Sequence, residues 1–321
     1  MSMPYVAAMA QEQKPQAIER KAEPVRQRSV ALRGAKTALM EFQTSPFPYD
    51  GMVPEKDKPF LDVSVGTRRG HRMPSGRIWW EDQAYRERRV LLHIPRGYDF
   101  SRPGVMIVFF HGHRATLTRD VRDRQLVPAQ VAASGINAVL VAPQFAFNAI
   151  DSSAGKFWEA GAFGRFIEEA GAKLVELHGN RASADVFATM PVVLVAYSGG
   201  YLPAAWSLAV GGADERLRGV LLLDALYGEL DKFADWAADN RSKFLVSAYT
   251  KSTVKEHATF KAKLADRDIS PATELVQNRW KQGVTFLASI SEEIKHDDFA
   301  TQAWVEQPIK DILRRLDEYR R

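Results

Sequence analysis

Ser198 stands in Ala196-Tyr197-Ser198-Gly199-Gly200, with small residues two before and two after its hydroxyl. That spacing suits a nucleophile carried on a sharp strand-to-helix turn, where a backbone folding back on itself has no room for larger side chains. A serine hydroxyl is a weak nucleophile at neutral pH. It needs a base within hydrogen-bond reach, and an acid that fixes the base's tautomer and stabilises its charged form. His111, Ser198, Asp224 and His296 each follow an apolar run, so all four are candidates for one site. The bland alternatives are a serine N-cap, a turn-capping aspartate and a surface histidine.

Those apolar runs are the elements that must position the chemistry. Strands are expected at 89–95, 105–110, 138–142, 192–195, 219–223, 244–248 and 284–288. Continuous β-branched stretches such as Val105-Met106-Ile107-Val108-Phe109-Phe110 suit parallel strands buried on both faces. Helical patterns are expected at 121–134, within 155–177, and at 201–210, 230–238, 253–264 and 301–319. Strands alternating with helices give a mostly parallel central sheet covered on both faces, with ligands beyond the C-terminal strand ends. The expected organisation is a polar, loosely docked arm over 1–35, an irregular proline-rich extension over 36–87 anchored by Trp79-Trp80, and one α/β domain over 88–321.

Composition narrows the function classes. With 321 residues and 45% hydrophobic content the chain can bury a large core, and no stretch reaches the ~20 apolar residues of a membrane helix. There are no cysteines, which excludes disulfides, thiolate chemistry and Cys-based zinc sites. The net charge of +5 comes without a Lys/Arg run interleaved with aromatics, so no nucleic-acid partner is expected. Residues 5–11 end in a small-x-small pattern but lack a basic leader and a full apolar core; as written they make no convincing signal peptide, and they fit the remnant of one if the natural start lies upstream. Compartment and oligomeric state stay open.

The His111-Gly112-His113 loop, the elbow at 196–200, Asp224 and His296, in this order on these elements, resemble the α/β-hydrolase superfamily over about residues 88–318. The segment Leu92-His93-Ile94-Pro95-Arg96-Gly97-Tyr98-Asp99 is similar to its esterase and depolymerase branches. The resemblance implies an α/β-hydrolase fold and hydrolysis of an ester, less often an amide, through an acyl-serine without a cofactor. In that family's chain order the acid and histidine follow the serine. His257 and His296 lie beyond both Ser198 and Asp224, and His296 is preferred because it falls in a loop rather than a helix. Asp224 is preferred as acid over Asp231, Asp266 and Asp268, because the next strand ends in Tyr249-Thr250-Lys251-Ser252 without a carboxylate. The oxyanion donors are expected to be the backbone N–H groups of Gly199 and His113. His111, Gly112, Tyr197 and Gln144 are expected to line the cleft, with Phe157, Trp158, Phe163 and Tyr201 as further aromatic candidates. Two departures stand out: alanine replaces the first elbow glycine, and the acid follows the strand directly after the elbow, counted as the sixth in the family's order rather than the seventh.

Two other readings compete. A metal-dependent hydrolase would assemble His111 and His113 with Asp120, Asp123, His296 and Asp297, although no third ligand lies near the His-x-His pair. A non-catalytic binding protein would use the same fold without turnover. On the preferred reading the partner is a small-molecule or polymeric ester.

Overall fold

A computed structural model describes residues 31–277 and 279–321. The expected arm over 1–35 therefore falls almost wholly outside the described residues. Eight strands build the central sheet: β1 Lys36–Glu41, β2 Arg89–Ile94, β3 Val105–Phe110, β4 Ala138–Pro143, β5 Val192–Tyr197, β6 Leu217–Leu223, β7 Phe244–Tyr249 and β8 Gly283–Ala288. Their spatial order is β1-β2-β4-β3-β5-β6-β7-β8. The β1/β2 and β2/β4 pairs are antiparallel, and every pair from β4/β3 to β7/β8 is parallel. This is the α/β-hydrolase fold.

Alternation along β3 shows how the layers are held. Met106, Val108 and Phe110 face one core with Leu174, Ala204, Phe233 and Phe260. Val105, Ile107 and Phe109 face the other, with Val131 and Ile312. All six residues of β3 are fully buried. Full burial contributes roughly 1.5–3 kcal/mol per large apolar side chain, so the central strands are fixed mainly by area removed from water.

The helices are shorter at the edges than the sequence pattern suggests. The 121–134 pattern splits into a π-helix, Leu117–Arg124, and a short α-helix, Val127–Ala133, broken at Leu126 with φ of 54°. The C-terminal pattern holds one helix, Pro308–Arg314, where Pro308 begins the turn that propensity alone placed several residues earlier. The long pattern at 155–177 becomes a 3₁₀ turn, Gly155–Trp158, and a helix, Ala162–His178.

The stretch at 36–87 is more regular than an irregular wrap. Its first six residues are β1, paired in register with β2 from Lys36↔Ile94 to Glu41↔Arg89. Beyond it, short antiparallel pairs join Met52–Val53 to Lys58–Pro59, and Val63–Val65, Arg68–Arg72 and Ile78–Trp80 to one another. Prolines masked these strands because pairs of two or three residues carry almost no periodicity. Phe47, Phe60 and Tyr85 pin the segment, with ring centroids 4.9–5.7 Å apart, and Phe60 also meets Trp158 at 5.7 Å. Trp79 and Trp80 are only half-buried, and each carries an arginine over its ring: Arg77 at 4.0 Å and Arg68 at 4.7 Å. The fixed point is thus the phenylalanine–tyrosine cluster rather than the tryptophan pair.

Candidate active site

Strand β5 delivers Ser198 into the left-handed region, with φ of 52°, and a helix starts at Tyr201. A non-glycine residue there is strained, and the sheet around it must hold it in place. Neighbouring glycines make the turn possible. A Cβ on Gly200 would sit 2.5 Å from the carbonyl oxygen of Phe110, and one on Gly112 would sit 2.7 Å from the Cβ of Ser198. Ala196 is fully buried, so a methyl group fits where the usual pattern has glycine.

The serine hydroxyl donates to Nε2 of His296 at 2.7 Å, and Nδ1–H of His296 donates to Oδ2 of Asp224 at 2.6 Å. Three groups 26 and 72 residues apart along the chain thereby form one line. His296 lies in a short 3₁₀ turn, His296–Asp298, after β8. Asp224 directly follows β6, the sixth strand, with φ of 42°. Its carboxylate also accepts from the N–H of Thr250 at 3.2 Å and from the hydroxyls of Thr250, Ser252 and Thr253 at 2.7–2.8 Å. Burial alone would raise its pKa; the hydrogen bonds from His296, Thr253, Ser252 and Thr250 outweigh that and hold it well below the usual carboxylate range. In the sequence Tyr249-Thr250-Lys251-Ser252 stands out for lacking a carboxylate, which hides the hydroxyls. A run of hydroxyls at the next strand end is their signal.

Tyr197 and Tyr227 hold the imidazole. The Tyr197 hydroxyl donates to the carbonyl of His296 at 2.9 Å, and the Tyr227 hydroxyl lies 3.2 Å from Nδ1 and 3.0 Å from the Ser252 hydroxyl. Tyr197 is 3% exposed, so it braces the site and does not line an open cleft.

The 111–113 loop is organised from beneath. His111 is buried; its Nδ1–H donates to the Gly112 carbonyl at 2.8 Å, while Nε2 accepts from the Phe145 N–H at 2.9 Å and the Gln144 amide at 2.8 Å. These partners fix the tautomer, and burial pushes the ring's pKa down to about 4, so it stays neutral. The Gly112 carbonyl and the His113 N–H belong to one trans peptide, so drawing the carbonyl toward His111 turns the N–H the opposite way. Among the described residues that N–H makes no hydrogen bond. His111 and Gln144 thus lie under the loop rather than in the cleft, because two buried polar side chains satisfy each other there. The His113 ring is exposed, with Nε2 at 2.7 Å from the Ser152 hydroxyl.

Other candidates are not brought to Ser198. His257 is buried in the helix Val254–Ala265, where Nδ1–H donates to the Thr253 carbonyl and Nε2 meets the Ser247 hydroxyl, both at 2.8 Å. Asp231 pairs with Lys263 at 2.8 Å, and Asp266 and Asp268 are exposed. The metal-ligand set is not assembled either: Asp120 accepts from Arg119 and Arg124, Asp123 pairs with Arg122, and the His111 ring is committed as described. Among the described residues no three His, Asp or Glu side chains form a group that could hold a metal ion. Phe157 and Phe163 are fully buried in the core, whereas Trp158 and Tyr201 line a cavity beside the turn.

The fold and this elbow define an α/β-hydrolase-fold protein. No family model matches the chain, and no curated protein matches it. Among solved structures it is similar to a feruloyl esterase module from Clostridium thermocellum, with a TM-score of 0.47 and 12% identity, covering 88% of this chain and 96% of that one. It is also similar to an S-formylglutathione hydrolase from Agrobacterium tumefaciens (TM-score 0.45, 10% identity, 81% and 98% covered) and an IroE-like serine hydrolase from Shewanella oneidensis (TM-score 0.42, 16% identity, 71% and 74% covered).

Proposed function

We propose that this chain is a serine hydrolase that cleaves an ester through an acyl-serine intermediate. The observation that carries the reading is the unbroken line Ser198–His296–Asp224, with contacts of 2.7 and 2.6 Å. Ser198 is the nucleophile. His296 is the base that takes its proton as the hydroxyl oxygen bonds to the ester carbon, and Asp224 holds Nδ1–H and stabilises the imidazolium. The same imidazolium returns the proton to the departing alkoxide, and a water activated by His296 then releases the acid.

The charge that develops on the carbonyl oxygen is met by the N–H groups of Gly199, at the start of the turn into the helix, and of His113. Support for His113 is the peptide orientation imposed by His111, together with its unengaged N–H. None of these steps calls for a metal or an organic cofactor.

The test is turnover of 4-nitrophenyl esters of increasing acyl length by wild type and by Ser198→Ala. The reading expects at least about a thousandfold loss in the variant with the fold retained. Equal turnover by the two proteins would reject it.

A further inference from the structure

The cavity beside the elbow has a chemistry of its own. It encloses about 640 Å³, with His113 and Ser152 at the end of its lining that adjoins Gly199. A Cβ on Gly199 would lie 2.6 Å from the His113 ring and 2.8 Å from the Ser152 hydroxyl, so that end touches the residue next to Ser198. Its lining comes from residues 53–74 of the N-terminal extension together with Trp158 and the start of the helix Tyr201–Val210.

Charge in this cavity is balanced. The carboxylates of Glu55, Asp62, Asp151 and Glu229 are matched by Lys56, Lys58 and Arg72 in the lining and by Lys232 at the rim. Lys232 lies 2.7 Å from Glu229 and 3.5 Å from Glu55, and Lys58 lies 3.1 Å from Asp62. Cancelling charges select neither an anion nor a cation.

Polar and apolar groups are interleaved in the lining, so an alkyl chain would strip water from the polar ones without replacing its hydrogen bonds. Donors and acceptors of both kinds are available: Lys56 and Arg72 make no ion pair among the described residues, and the carboxylates of Glu55, Asp62 and Glu229 can accept. Between these groups stand the half-buried rings of Tyr201 and Trp206, the latter held by Lys232 at 4.3 Å over its plane. Flat apolar faces among available donors and acceptors suit a molecule with C–H faces and a hydroxylated edge.

We infer that this cavity holds a neutral cyclic polyol, a pyranose or a ring like it, and that the substrate is an ester of such a ring. The inference rests on the serine-hydrolase reading for its reaction but not for its binding site, and the test separates the two. Calorimetric titration of the Ser198→Ala protein with methyl β-D-xylopyranoside is expected to show saturable binding, weakened by about tenfold in a Ser198→Ala/Trp206→Ala protein and left intact by inorganic phosphate and 1-octanol as competitors. In the wild type, an acetate ester of the same pyranoside is expected to be cleaved with a kcat/KM about tenfold above ethyl acetate, the advantage disappearing in Trp206→Ala or in Arg72→Ala. No saturable pyranoside binding, or displacement by phosphate or octanol, overturns the inference even if Ser198 is active. Pyranoside binding that needs Trp206, in a protein that cleaves no ester, upholds the cavity's ligand and overturns the serine-hydrolase reading instead.

Discussion

The ring of Tyr197 lies stacked on the ring of His296, with centroids 5.2 Å apart and planes inclined by 18°, and its hydroxyl donates to the carbonyl of the same histidine at 2.9 Å. The residue preceding Ser198 therefore holds His296, so the elbow and the histidine loop are coupled through one side chain. Tyr197→Phe keeps the stacked ring and removes only the hydroxyl. A neutral hydrogen bond is worth about 0.5–1.5 kcal/mol, so kcat is expected to fall roughly 2- to 10-fold with little change in KM. Steady-state kinetics on a 4-nitrophenyl ester check this; an unchanged kcat would show that the loop needs no such support.

Gly112 faces Ser198 at a distance that admits no side chain. Gly112→Ala would bring a methyl group to 2.7 Å from the Ser198 Cβ and 3.1 Å from its oxygen. The expected result is a loss of at least about a hundredfold in kcat, comparable to removing an oxyanion donor. Circular dichroism should show the fold retained, and near-wild-type turnover would mean that the 111–113 loop stands farther from the reaction.

The buried pair beneath that loop can be tested separately. Gln144→Ala removes the amide that donates to Nε2 of His111, leaving the Phe145 N–H to hold that nitrogen and loosening the ring's support from below. If His111 orients the 112–113 peptide, kcat should drop about tenfold while KM for a small ester moves less than threefold. Equal changes in both constants would indicate a purely structural role.

The fold was legible in the sequence where burial was complete. β3, β4, β5 and residues 219–223 of β6 are apolar runs with no polar face, and such runs announce parallel strands whatever their neighbours. β1 was not legible, because Lys36–Glu41 is an edge strand with half-buried and exposed residues whose partner, β2, lies some fifty residues away. At the candidate site, Ser198, Asp224 and His296 were visible through their positions after strands. Thr250, Ser252, Thr253 and Tyr227 were not, since a hydroxyl that serves a carboxylate looks the same in sequence as one in a turn.

That hydroxyl cradle has a consequence for pH. Asp224 has a lowered pKa in the folded protein, so it contributes stability above its unfolded value of about 4, and that contribution is lost as pH falls through the lower folded value. Thr253→Val removes one donor to the carboxylate without changing side-chain size much. Acid inactivation of the variant should begin at higher pH than in wild type, by about one unit at most, while stability at neutral pH falls by about 1–3 kcal/mol. Urea melts across the acid range measure both; identical acid limbs would show that Thr253 does not tune the carboxylate.

Covalent labelling by a fluorophosphonate, read by intact mass and peptide mapping, bears most directly on the central claim, because it requires a hydroxyl activated by its neighbours. The account predicts one adduct, on Ser198, absent from Ser198→Ala and formed at least about a hundredfold more slowly in His296→Ala. Folded wild-type protein that takes up no label, or label carried by Ser198→Ala at the wild-type rate, would contradict it.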